Sequence, residues 1–139
     1  MDKVLQIKSG NELIAIIIKS SFRKNGIEFF TPPDFSQQLA YMNRPASYRI
    51  EPHIHNKVKR EVHFTQEVLF IKSGKVKVDF YNNQRKFVDS QTIEAGDVML
   101  LNSGGHGFTM LEPTEMIEVK QGPYAGDRDK VRFTPEEKE

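Results

Sequence analysis

The stretch Glu67-Val68-Leu69-Phe70-Ile71-Lys72-Ser73-Gly74-Lys75-Val76-Lys77-Val78-Asp79-Phe80-Tyr81 decides how this chain folds. Its two halves are short and rich in Val, Ile, Phe and Tyr, and one glycine separates them, which is how two half-buried strands joined by a turn read. Upstream, the same grammar gives strands over Val4 to Lys8 and Leu13 to Lys19, split by Ser9-Gly10-Asn11. Gly26 to Phe30, stopped by Thr31-Pro32-Pro33, and Tyr48 to His55 follow. Downstream come Phe87 to Ile93 after Asn82-Asn83, Val98 to Leu101 after Gly96-Asp97, and Phe108 to Leu111 and Met116 to Lys120 beyond Gly104-Gly105. Apart from a short turn around Asp34 to Leu39, no window carries an apolar stripe of helical period. The expectation is an all-β chain without internal repeats, built as a sandwich or barrel.

At 139 residues the chain has room for one domain. We expect that domain over residues 1–125, with a charged, loosely held tail over residues 126–139. Twenty basic and nineteen acidic residues leave a net charge of +1, too little to steer the whole molecule toward nucleic acid or anionic lipid. No cysteine is present, so disulfides, thiolate metal sites and thiol nucleophiles are excluded together. The N-terminus lacks the pattern of a cleavable signal, and the apolar run Leu13 to Ile18 is too short to cross a bilayer. A cytoplasmic protein with a small-molecule partner is the expectation, with neither nucleic acid nor membrane as a partner.

Chemistry concentrates around the histidines. His53-Ile54-His55 on a strand puts both imidazoles on one face, because strand side chains alternate. Glu67 follows one strand later, with six residues between it and Gly74, and His106 stands just after Gly104-Gly105. Three imidazoles and a carboxylate suit one divalent transition metal: Fe, Mn, Ni, Co, Cu or Zn. The same parity would turn Arg49 and Glu51 inward with His53 and His55. It would set Leu69 and Ile71 beside Glu67, and Phe108 and Met110 beside His106, as an apolar wall around a polar centre. Arg49 could grip a carboxylate or phosphate, or form an ion pair with Glu51. The basic run Lys57-Val58-Lys59-Arg60 reads as a solvated patch or as a lid that attracts anionic substrate.

In order and spacing these residues resemble the cupin superfamily, whose motifs read Gly-x5-His-x-His-x3-4-Glu-x6-Gly and Gly-x5-Pro-x-Gly-x2-His-x3-Asn. The resemblance covers roughly Ser47 to Val119. It implies a double-stranded β-helix, or jelly-roll barrel, with metal ligands at His53, His55, Glu67 and His106. Three departures stand out: Ser47 replaces the first glycine, Asn102 replaces the proline, and eleven residues separate His55 from Glu67. The long gap opens a rival assignment, because His63 lies at the family's spacing before Glu67, with Glu61 in the first-His position. His63 is then a substitute ligand or a pocket residue.

Residues 117–132, from Ile117-Glu118-Val119-Lys120 to Val131-Arg132, are similar to the closing segment of the cupin part of type II mannose-6-phosphate isomerases. The chain also resembles small stand-alone cupins of surface-sugar biosynthesis. These resemblances imply a sugar-derived or organic-acid substrate, handled by a metal-dependent isomerase or epimerase or by an Fe-dependent oxygenase. His63 or Glu51 would transfer protons, and Arg49, Phe108 and Leu69 would contact the substrate. A non-catalytic sugar-binding or regulatory module, and a metal-free sugar-nucleotide isomerase with His as its base, stay open beside them. A homodimer is expected, with Leu13 to Ile18 as a sheet edge and outward Val68 and Phe70 as a face.

Overall fold

The computed structural model describes residues 3–135. It is all-β, with strands β1 (Val4–Ser9), β2 (Glu12–Ile18), β3 (Gly26–Phe29), β4 (Ala40–Asn43), β5 (Glu67–Ser73), β6 (Lys75–Tyr81), β7 (Phe87–Glu94), β8 (Val98–Leu101), β9 (Gly105–Met110) and β10 (Glu115–Lys120), then a 3-10 turn at Gly126–Asp129. Two antiparallel sheets form a sandwich, one ordered β1-β2-β8-β5-β10 and the other β7-β6-β9. β3 and β4 make a separate hairpin. No helix among the described residues is long and apolar enough to cross a membrane.

Register explains where the core lies. Residues opposite one another across antiparallel strands share a face, so the five-stranded sheet presents two inner rows. One runs Leu5, Ile17, Met99, Leu69, Glu118 and the other Ile7, Ala15, Leu101, Glu67, Lys120. The facing sheet contributes Val76, Val78 and Phe80 from β6 and Ile93 from β7, all buried. Each large apolar side chain closed off here contributes about 1.5–3 kcal/mol. The turn between β5 and β6 needs its glycine: Gly74 has φ +93°, and a Cβ there would sit 2.3 Å from the Pro113 carbonyl oxygen. Instead of closing a hairpin within one sheet, Gly74 sends the chain from one sheet to the other.

Three expectations are corrected. The sheets do not close into a barrel, because residues 44–66, including the expected strand Tyr48 to His55, form no strand and leave β9 and β10 as open edges. The Leu13 to Ile18 run is not an edge either. It lies between β1 and β8 with residues 14–18 all buried, as a segment apolar on both faces requires. Asp34 to Leu39 forms no helical turn, and β4, which pairs with β3, takes a place where no strand was expected. The described part of the expected tail, residues 126–135, makes contacts with the sandwich. Thr65 hydrogen-bonds Asp129, Lys120 pairs with Asp129 at 3.8 Å, and the Phe133 ring stands edge-on to Tyr81 at 5.2 Å. Residues 136–139 lie outside the described residues.

Two polar clamps fix the frame. The Asp97 carboxylate, fully buried, accepts from the backbone N–H of Ser20 and Glu94 and from Lys19 Nζ, each at 2.8 Å. It ties the β7–β8 turn to the end of β2. The buried Gln66 carbonyl accepts from Gln37 N–H at 2.7 Å and from the Ser36 hydroxyl at 3.1 Å. Its amide donates to Asn102 at 2.6 Å. That second clamp holds the residue immediately before β5, and so aims Glu67.

Candidate functional site at the charged mouth

Where the inner rows reach β5 and β10 they change character. Glu67, Glu118 and Lys120 occupy the face that is apolar everywhere else in this sheet. From the other sheet His106 shares the inner face of β9 with Phe108, because it pairs opposite the fully buried Phe80. Its ring stacks on Phe108 with centroids 5.5 Å apart and planes at 22°. The position of β9 is set by Gly104, with φ +71°, where a Cβ would meet the Tyr81 carbonyl oxygen at 2.1 Å.

The electrostatics follow from this enclosure. Burial pushes the Glu67 carboxyl up to about 7 from its ordinary 4.5, and a hydrogen bond with Glu118 and repulsion from its charge add to the rise. Lys120 and Lys130 oppose it. Glu67 therefore exchanges its proton near neutral pH, in a partly dry position beside another carboxylate. His106 is exposed at the end of the sandwich, yet the protein packed around it withdraws enough water to pull its pKa below 6.5. Lys130 and Lys120 press in the same direction against the charge of Glu118. One neutral imidazole, one carboxyl that titrates near neutral pH and two ammonium groups thus converge on a single opening.

The other residues expected at a site lie elsewhere. His53 and His55 sit on the exposed segment between β4 and β5, their rings 5.3 Å apart, with His53 Nδ1 2.8 Å from the Glu51 carbonyl oxygen. Arg49 and Glu51 are exposed on the same segment and face each other at 3.6 Å. This is the ion pair that their proximity allowed. His63 is exposed beside Glu61 at 3.7 Å. Leu69 is buried core, Phe108 is packed against that core, and Met110 is half exposed at the far end of β9. The four expected metal donors therefore do not gather: His53 and His55 lie side by side on the exposed segment, while Glu67 and His106 lie on different sheets. Among the described residues no three His, Asp or Glu side chains come together as a metal would need.

The open space in the molecule borders the mouth but does not coincide with it. A cleft of about 310 Å³ is lined by His63, Thr65, Gln121, Arg128 and Asp129. A wider one of about 1020 Å³ runs between Phe35 and the Val58 to Val62 segment. Gln121 directly follows β10 and Thr65 lies two residues before β5, so the smaller cleft lies next to the charged ends of both strands. At Ser47, φ is +68°, the left-handed conformation that a glycine adopts freely.

Glu118 and Lys130 were missed in the sequence. Met116-Ile117-Glu118-Val119-Lys120 invites the reading that Ile117 and Val119 face the core, whereas both are more than half exposed and it is Glu118 and Lys120, themselves solvent-accessible on this edge strand, that share the inner side with Leu69 and Glu67. The available signal was Met116, which shares parity with Glu118 and Lys120 and packs against the core. No protein-family model, curated protein or solved structure matches the chain.

Proposed function

We propose that the charged mouth is an acid–base site for a small polar, anionic ligand, and that the protein is an isomerase or epimerase acting beside a carbonyl on a sugar-derived substrate. The Glu67–Glu118 carboxyl pair, opposed by a neutral His106, is the observation that carries this reading. A group that exchanges a proton near pH 7 is matched to general acid–base work. In the proposed reaction His106 takes a proton from the carbon next to the substrate carbonyl. Protonated Glu67 donates to the developing enolate oxygen, and Lys120 and Lys130 offset its charge. Return of the His106 proton to the former carbonyl carbon, as the neighbouring hydroxyl gives its proton back to Glu67, completes an isomerisation; delivery of a solvent proton to the opposite face, with the enol proton returned to Glu67, completes an epimerisation. Lys120, Lys130 and the nearby Arg128 favour a phosphate- or carboxylate-bearing substrate.

The resemblance of residues 117–132 to sugar-isomerase cupins supports the substrate class, and the two-sheet sandwich is compatible with a cupin jelly roll. Metal chemistry through His53, His55, Glu67 and His106 belongs to the same family reading. The donors as arranged do not fit one ion, so no step is assigned to a metal. The test is a screen of sugar phosphates and nucleotide sugars in D2O. Deuterium incorporation at the carbon beside the carbonyl, lowered at least about 100-fold by His106→Asn, is the expected result. Saturable binding without exchange, unaltered by added divalent metal, would replace the enzyme with a sugar-binding module.

A further inference from the structure

We infer that residues 126–133 form a clasp across the open end of the sandwich with Phe133 as its hook, and that Phe133 is a positioning residue: it sets Lys130 at the mouth, where the ammonium group receives an anionic ligand. The clasp has one attachment on each sheet. On the five-stranded sheet, the half-buried Asp129 carboxylate accepts from the Thr65 hydroxyl, two residues before β5, and pairs at 3.8 Å with Lys120, the last residue of β10. Four residues on, the Phe133 ring stands edge-on to Tyr81 of the other sheet, with centroids 5.2 Å apart. Lys130 falls between the two attachments, close enough for its charge to be felt at both Glu67 and His106.

Three features of the second sheet fit this ring. Gly105 and Tyr81 pair opposite each other and alternate with His106 and Phe80 of the inner face, so both lie on the outer face of their sheet. Tyr81 is nonetheless only 5% exposed, because the rings of Phe133 and Phe87 pack against it. Gly105, unlike Gly104, takes no left-handed φ, so its backbone does not require glycine, yet a Cβ there would stand 3.0 Å from two carbons of the Phe133 ring. The ring fills the space that a side chain would need. Arg85 holds φ +66°, a conformation that costs any residue but glycine or asparagine, and its guanidinium lies over the Phe133 ring, 5.5 Å from the centroid.

Between its attachments the clasp is held lightly. Gly126–Asp129 is a single 3-10 turn with no side-chain cap and no buried residue, and Lys130 and Val131 are exposed. A short surface segment of this kind opens at little cost unless something beyond it is packed. Phe133 is that packed group, so losing one ring frees the Lys130 ammonium from the mouth. A residue on the outer face of one sheet thereby sets a charge at the interior end of both. That Lys130 meets an anion rests on the proposed reading of the mouth; the clasp itself does not.

Arg128, Lys130 and Arg132 all lie on the clasp, so trypsin cleavage after them reads its release, with the exposed bonds of Lys57-Val58-Lys59-Arg60 as the internal reference. Phe133→Ala should speed cleavage of the clasp about tenfold or more while the thermal unfolding of the sandwich stays in place. Phe133→Tyr should restore protection, and Gly105→Leu, which fills the seat, should expose the same bonds with Phe133 intact. Equal clasp cleavage in the wild type, Phe133→Ala and Gly105→Leu would overturn the clasp. The positioning role is measured by calorimetric titration with inorganic phosphate. Phe133→Ala and Lys130→Met should each weaken phosphate binding by about fivefold or more, and the double variant should lose no more than Lys130→Met alone. Additive losses would overturn the positioning role. A wild-type chain that binds no phosphate but keeps its ring-dependent protection removes the reading of the mouth, and the role of Lys130 with it, and leaves the clasp standing.

Discussion

The inner rows of the five-stranded sheet begin at β1 as hydrocarbon and end at β10 as charge: Leu5, Ile17, Met99 and Leu69 lead to Glu118, while Ile7, Ala15 and Leu101 lead to Glu67 and Lys120. The strands, their spacing and their pairing are the same at both ends, so the difference lies in side chains alone. At the closed end every polar group has a fixed partner, as Asp97 has three donors. At the open end two carboxyls face each other, which a sheet built only for stability would avoid. Stability and chemistry thus occupy separate ends of one interior, and substitutions should divide accordingly.

The largest effect should come from the closed end. Ile17→Ala empties the apolar row on β2, where Ile17 is fully buried between Leu5 and Met99, and should lower the unfolding free energy by about 2–5 kcal/mol in urea titrations. Next comes Asp97→Ala, which strands two backbone N–H groups and the Lys19 ammonium and should cost about 2–4 kcal/mol. If either variant unfolds like the wild type, the closed end is not the stabilising half. At the open end the sign should reverse. Glu118→Leu replaces an inward carboxyl with hydrocarbon beside Leu69 and Met116, and should stabilise the fold by about 1 kcal/mol while abolishing ligand binding or turnover. Loss of stability there would erase the contrast.

This division also accounts for what could be seen in the sequence. The all-β class, the strands at β5, β6 and β8 and the turn at Gly74 were legible, because alternation and glycine punctuation are local signals. Glu67 and His106 were singled out for their place in a motif, and they do lie on inner faces of the two sheets. The charged end was otherwise hidden. Strand parity is fixed by register, and register across β5 and β10 joins residues nearly fifty positions apart, from Leu69 to Glu118. The His53 and His55 expectation was reasonable as periodicity, yet periodicity states only which side chains share a face. Whether that face meets a sheet depends on pairing, and residues 48–55 have no partner strand among the described residues.

The smallest effect is the most discriminating, because its sign is fixed by the two shifted groups. Glu67 has its folded pKa raised to about 7 from 4.5, so the folded state holds that proton more tightly than the unfolded one. Its contribution to stability is complete below about pH 4.5 and is lost as the pH rises through about 7. His106 has its folded pKa lowered from 6.5, so its contribution is present above pH 6.5 and is lost as the pH falls toward the lower folded value. Between about pH 5 and 7 the two oppose each other, and the wild-type urea midpoint should change little from this pair. Glu67→Gln removes the first contribution, so the stability of the variant relative to wild type should rise with pH across that window. Because Glu67 is only half buried, solvent screening holds the change to about 1 kcal/mol. His106→Asn should shift the balance the other way and make stability fall with rising pH. Parallel wild-type and Glu67→Gln profiles from pH 4.5 to 7.5 would mean that the carboxyl pair is fully solvated, and the open end would then be surface and not a site.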